Sequence, residues 1–214
     1  MSKHKLSASA VGASPATSAV SRMTCADFFD APSGYRKLRD GTRVVRHHMV
    51  FTHQPVMGAA LSPDGRWFVW GGASAELFIL DIASGQRARL DGHRYDVASV
   101  VFSPDGKSFV SGGGDGLIFS WDTVAPHRRR ELGRQMTSVG QLAFSPDGRV
   151  LAAQEGGLGV RLWHPATARE VGFLKAPDDG NNQWVGFSLE GNWFGLRLGN
   201  GEVRLFPVAA LSER

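Results

Sequence analysis

Leu61-Ser62-Pro63-Asp64-Gly65 returns as Phe102-Ser103-Pro104-Asp105-Gly106, again as Phe144-Ser145-Pro146-Asp147-Gly148, and in looser form as Phe187-Ser188-Leu189-Glu190-Gly191. The four serines follow one another at 41, 42 and 43 residues, which defines a repeat of that length. Ser, Pro, Asp and Gly in this order specify a tight turn. Proline presets φ at the second position, the aspartate accepts backbone N–H groups, and glycine follows without steric cost. Apolar segments flank every turn. Ala98–Phe102, Gln141–Phe144 and Trp184–Phe187 precede it; Trp67–Trp70, Ser108–Ser111, Val150–Ala153 and Trp193–Leu196 follow. Such pairs read as β-hairpins.

Each hairpin leads into a second, glycine-rich turn: 112–116, 156–157 or 199–201. These glycines suit positions that need positive φ. A third strand is expected at Leu77–Leu80, Leu117–Trp121, Val160–Trp163 and Val203–Phe206. A fourth is expected at Arg87–Leu90, Arg128–Leu132 and Glu170–Leu174. Four short antiparallel strands per repeat predict a row of small sheets, each covering its neighbour.

Gly92-His93, Val97–Phe102, Ser103-Pro104-Asp105-Gly106, Ser111, Asp115-Gly116 and Trp121-Asp122 together resemble a WD40 repeat. The resemblance extends over roughly residues 42–214. It implies an all-β, WD40-type β-propeller of about four blades: a non-catalytic scaffold for protein–protein contacts. It also implies a buried hydrogen-bond chain of His93, Ser111, Asp115 and Trp121. The other copies depart from that pattern. The third keeps Trp163 but has Gln135, Ala153 and Gly157 at the remaining places. The first has Thr52, Trp70, Ser74 and Leu80, and the fourth Asp178, Leu196, Asn200 and Phe206.

The blades occupy residues 41–214. Residues 1–40 are expected to be a disordered, basic, Ser/Ala-rich segment. Of the net charge of +4, the first 51 residues hold +5, leaving the repeats near neutral. A nucleic-acid partner is therefore disfavoured. No run of apolar residues is long enough to span a membrane. The single Cys25 provides no intrachain disulfide. The expected location is cytoplasmic, with an acid-poor, Ser-rich start that also suits organellar transit.

Counting strands gives sixteen if Thr42–Phe51 completes the last blade. Since blades of this kind favour wider rings, three arrangements stay open. The chain is a truncated or diverged remnant of a larger multi-domain repeat protein without function of its own. Or two copies pair into one eight-bladed ring as a homodimer. Or four blades close under strain, or draw strands from residues 22–41.

Catalytic patterns are absent. Gly72-Ala73-Ser74-Ala75-Glu76 fails as a nucleophile elbow at its last position. There is no His-Glu-x-x-His and no phosphate loop. His47 and His48 would point to opposite faces of a strand. Arg128-Arg129-Arg130 reads as charge that blocks edge pairing on an outer strand. An enzyme built on the propeller is the remaining alternative to a scaffold, and no cofactor, metal or small-molecule substrate is expected. The expected protein- or peptide-binding surface is Arg94, Tyr95, Asp96, Gln135, Met136, Gln183 and Trp184, on the turns that enter the first strand of each blade. Tyr, Trp, Arg and Met are the types that anchor interfaces.

Overall fold

The computed structural model describes residues 38–39, 44–45, 55–176 and 182–211, with side chains for 55–176 and 184–209. The chain divides into two compact units, Met1–Phe51 and Thr52–Arg214. In the first, strands β1 (Leu38–Arg39) and β2 (Val44–Val45) pair antiparallel. Of the strand expected at Thr42–Phe51, only Val44–Val45 is described, and its partner is β1. The rest of that expected strand, and the expected disorder of residues 1–37, lie outside the described residues.

The second unit consists of four antiparallel meanders. The first blade is β3 (Val56–Leu61), β4 (Trp67–Gly72), β5 (Leu77–Asp81) and β6 (Arg87–Leu90). The second is β7 (Val97–Phe102), β8 (Ser108–Gly113), β9 (Leu117–Asp122) and β10 (Arg129–Arg134). The third is β11 (Val139–Phe144), β12 (Leu151–Glu155), β13 (Gly159–His164) and β14 (Arg169–Lys175). The last holds three strands among the described residues: β15 (Asn182–Phe187), β16 (Trp193–Leu198) and β17 (Val203–Pro207). The fold is all-β in the manner of a WD40-like propeller, and the series of sheets does not close on itself.

The Ser-Pro-Asp-Gly turns are held by their own side chains. The Ser62 hydroxyl donates to Asp64 Oδ1 (2.5 Å) and accepts the Trp67 N–H (2.8 Å). Ser103 with Asp105 (2.7 Å) and Ser145 with Asp147 (2.6 Å) repeat this. The serine hydroxyls, followed by a backbone N–H, lower the pKa of all three carboxyls. The turn glycine adopts φ near +70°, as at Gly106 (+68°). It also leaves room for its neighbour: a Cβ on Gly106 would lie 3.5 Å from Pro63, one on Gly148 3.5 Å from Pro104, and one on Gly191 3.4 Å from Pro146.

Neighbouring sheets pack face to face. Val69, Leu77 and Ile79 of the first blade meet Phe109, Phe119 and Trp121 of the second. Val110 and Ile118 meet Leu151, Ala153 and Trp163. Ala152, Val160 and Leu162 meet Phe194, Leu196 and Leu198. Gly112 and Gly113, expected in a turn, are strand residues. They pair with Ile118 and Val97. Their need for glycine is close approach: a Cβ on Gly112 would collide with Val139 of the next blade.

Every first strand carries a β-bulge at the same repeat position, between Val56 and Gly58, Val97 and Ser99, Val139 and Leu142, and Asn182 and Trp184. Just past two of these bulges the preceding blade supplies the acceptor. Ser99 Oγ takes the Leu142 N–H (3.1 Å), and Gln141 Oε1 takes the Val185 N–H (3.0 Å). The bulge thus exposes an N–H that stitches one inner strand to the next.

The last blade has one open face. Leu77 and Val160 are 1% and 0% exposed, whereas Val203 at the same repeat position is 57% exposed. Leu205 and Trp193 are exposed beside it. Those positions are sealed elsewhere because a following sheet lies on them.

Candidate functional site

The turns that enter β7 and β11 present side chains of two blades to solvent. Their geometry is set from below by buried polar groups. In the second blade the Trp121 indole N–H donates to Ser111 Oγ (2.8 Å), and Ser111 Oγ lies 2.8 Å from His93 Nε2. His93 Nδ1 lies 3.1 Å from both carboxylate oxygens of Asp115. The directions follow from the donors present. The indole only donates, so the serine hydrogen goes to Nε2, and Nδ1–H goes to the carboxylate. The imidazole is neutral. Burial lowers its pKa and outweighs the opposing pull of Asp115. Burial alone would raise the Asp115 pKa, but the N–H groups of Arg94, His93 and Leu117 hold it below the usual carboxylate value. The structure therefore brings all four residues into one chain. Its far end fixes a surface turn, because Asp115 Oδ2 accepts the backbone N–H of Arg94 at 2.9 Å.

The third blade fixes the equivalent turn with different residues. Gln135 stands where the second blade has His93, and it donates to the Ala153 carbonyl (3.0 Å). The carboxylate comes from Glu155, at the strand position of Gly113, and its Oε1 accepts the Met136 N–H (2.6 Å). Met136 is the repeat equivalent of Arg94. Glu155 is fully buried and is balanced by Arg161, whose Nε donates to it at 3.0 Å and whose Nη1 donates to Glu170 at 2.8 Å. Burial would lower the Arg161 pKa, but the two glutamates raise it. With Ala153 at the place of Ser111, Trp163 Nε1 and Gln135 Oε1 are both buried and find no hydrogen-bond partner among the described residues.

The expected surface residues separate into two groups. Arg94 and Tyr95 are exposed on the turn before β7, and Asp96 is half-buried there, its carbonyl accepting the Gly114 N–H at 2.9 Å. Met136 is exposed on the turn before β11, and Trp184 is exposed on β15. The Trp184 ring lies over Gly186 and Gly195, on the open face of the last blade. Gln183 is in β15, and its side chain lies outside the described residues. Gln135 does not belong with the surface: it is 5% exposed and is spent on the interior of the third blade.

Three groups escaped the sequence reading. Glu155 and Arg161 are one. The second is Arg129 and Arg130, which tie blades together besides occupying an outer strand. Arg129 Nη1 donates to the Asp91 carbonyl before the second blade, and Arg130 donates to the Pro165 and Ala166 carbonyls in the third. The third is a cavity of about 410 Å³, lined by Arg94, Tyr95, Phe119, Arg129, Glu131 and Arg134.

Sheets of this topology, with a buried tryptophan–serine–histidine–aspartate chain, are consistent with a WD40-like β-propeller. Residues 84–122 match the family model described as WD domain, G-beta repeat, consistent with the WD40-repeat family. No curated protein matches the chain. The matched segment spans the end of the first blade and the second up to Asp122, where the whole network is present. Domains of this family typically bind proteins or peptides and are generally non-catalytic.

Proposed function

We propose that the chain is a protein-interaction scaffold that binds its partner through the turns entering β7 and β11, with Arg94, Tyr95 and Met136 as contact residues. One observation carries this reading. Tyr95 and Met136, 65% and 87% exposed, stand on turns whose backbone N–H groups are held by the buried carboxylates of Asp115 and Glu155. A large side chain displayed on a fixed backbone binds without the further cost of ordering its turn. Two differently built blades preserve the same fixed N–H, which supports display as the shared purpose. The test is affinity capture with the full chain and with Tyr95→Ala/Met136→Ala. A protein retained by the first and lost by the second, with circular dichroism unchanged, is the expected result. Equal recovery by both chains removes this surface from consideration.

The open face of the last blade favours a second reading, in which another copy of the chain covers Trp193, Val203 and Leu205. Light scattering over a concentration series should then show mass rising above 23.1 kDa. A monomer at every concentration overturns it.

A further inference from the structure

The cavity against the second blade has an apolar floor and a cationic rim. Leu117 and Phe119 are buried at its base, while Arg94, Arg129 and Arg134 are exposed around it. Arg129 is already ordered. Its guanidinium lies 5.2 Å from the Phe119 ring and 5.9 Å from the Trp121 ring, and it is tied to the Asp91 carbonyl. No carboxylate among the described residues pairs with Arg129 or with the Arg94 side chain. Arg134 has a loose partner in Glu131, at 3.8 Å with both side chains half exposed. The other acid of the lining, Asp115, has both oxygens taken by the N–H groups of His93, Arg94 and Leu117.

The geometry points to this cavity as a binding site for the glutamate or aspartate side chains of an acidic peptide. The claim rests on the scaffold reading and gives the partner a chemistry. A glutamate side chain matches the site in two parts. Its methylenes suit the Leu117–Phe119 floor, and its carboxylate meets guanidinium groups that fork onto two oxygens. Tyr95 supplies an aromatic wall of the kind that anchors peptides. A doubly charged phosphate fits less well, because Glu131 and Asp115 add two negative charges to the same lining, and an RNA backbone offers no methylenes to the Leu117–Phe119 floor. A volume of about 410 Å³ accommodates one or two side chains.

The probe is a fluorescein-labelled hexaglutamate peptide, titrated with the full chain at low ionic strength and followed by anisotropy. Hexaglutamine and oligouridylate serve as comparators. Hexaglutamate should bind, and Arg94→Ala/Arg134→Ala should weaken it at least about tenfold. Both arginines are exposed, so the variant keeps its fold. Arg149→Ala/Arg169→Ala removes the same charge away from the cavity and should leave binding within about twofold. Equal weakening by the two variants would mean diffuse electrostatics and would overturn the site. No hexaglutamate binding, or tighter binding of oligouridylate, overturns it as well. Loss of the captured protein in Tyr95→Ala/Met136→Ala, with no effect of Arg94→Ala/Arg134→Ala on hexaglutamate, would leave the scaffold standing and remove the cavity from it.

Discussion

The second and third blades share a tryptophan at the end of their third strand, the same turn chemistry and the same fixed N–H before their first strand, yet they reach that N–H by different routes. Asp115 approaches from the turn after β8, with a neutral imidazole behind it. Glu155 approaches from within β12, with a guanidinium behind it. The second blade buries a carboxylate supported by neutral donors, and the third buries one supported by a cation. What the fold requires is therefore a buried acceptor under the turn. Its residue type and its strand position are free to vary as long as the charge is balanced.

The two solutions should fail differently. Removing Arg161 leaves Glu155 buried without its cation, so Arg161→Ala should lower stability by about 3–5 kcal/mol in denaturant unfolding. A loss below about 1 kcal/mol would mean that solvent or another group balances the charge. Ser111→Ala should cost less, about 2–3 kcal/mol, because it strips partners from two buried groups, Trp121 Nε1 and His93 Nε2, neither of them charged. It would give the second blade the alanine that the third already has at Ala153. A negligible cost would show that the chain of four residues is ornamental to the fold.

The smallest effect separates the blades by pH. The folded pKa of His93 lies below its ordinary value of 6.5, so the unfolded chain takes up this proton first. Stability is then intact above about pH 6.5 and falls as pH drops from there toward the folded pKa, by at most about 1.4 kcal/mol per pH unit for one proton. The third blade has Gln135, which carries no titratable proton, in this place. Chemical unfolding between pH 7 and 5 should show the decline, and His93→Gln should flatten it. An unchanged slope in His93→Gln would assign the proton elsewhere.

The turns and strands were legible in the sequence because their causes are local. Ser103, Asp105 and Gly106 make their turn hydrogen bonds within five residues, so the stretch carries its own instructions. Strand ends extended one or two residues past expectation where ladders ran into glycine, as at Gly112 and Gly113. A run of glycines suggests a turn from sequence alone, because what excludes a Cβ there, Val139 for Gly112 and the Asp96 carbonyl for Gly113, lies remote in the chain. The resemblance located His93, Ser111, Asp115 and Trp121. It was blind to Glu155 and Arg161, which occupy the repeat positions of Gly113 and Phe119 and match no expected side chain. The turn position before β11 assigns Gln135 to the surface, whereas its side chain turns inward to the Ala153 carbonyl. The ties made by Arg129 and Arg130 reach carbonyls 35 to 38 residues away, and no local pattern announces them.

The proline of each turn lies against the glycine of the next: Pro63 by Gly106, Pro104 by Gly148, Pro146 by Gly191. The same surface is thus offered forward and received behind at every step. The turns by themselves carry no record of rank in the row: a copy added or removed in frame would again set a proline against a glycine, whereas the ties of Gln141, Arg129 and Arg130 belong to particular blades. The chemistry of the turns sets the spacing of the copies and leaves their number free, so the gain or loss of a blade is limited by the packed faces and their particular ties and not by the turns.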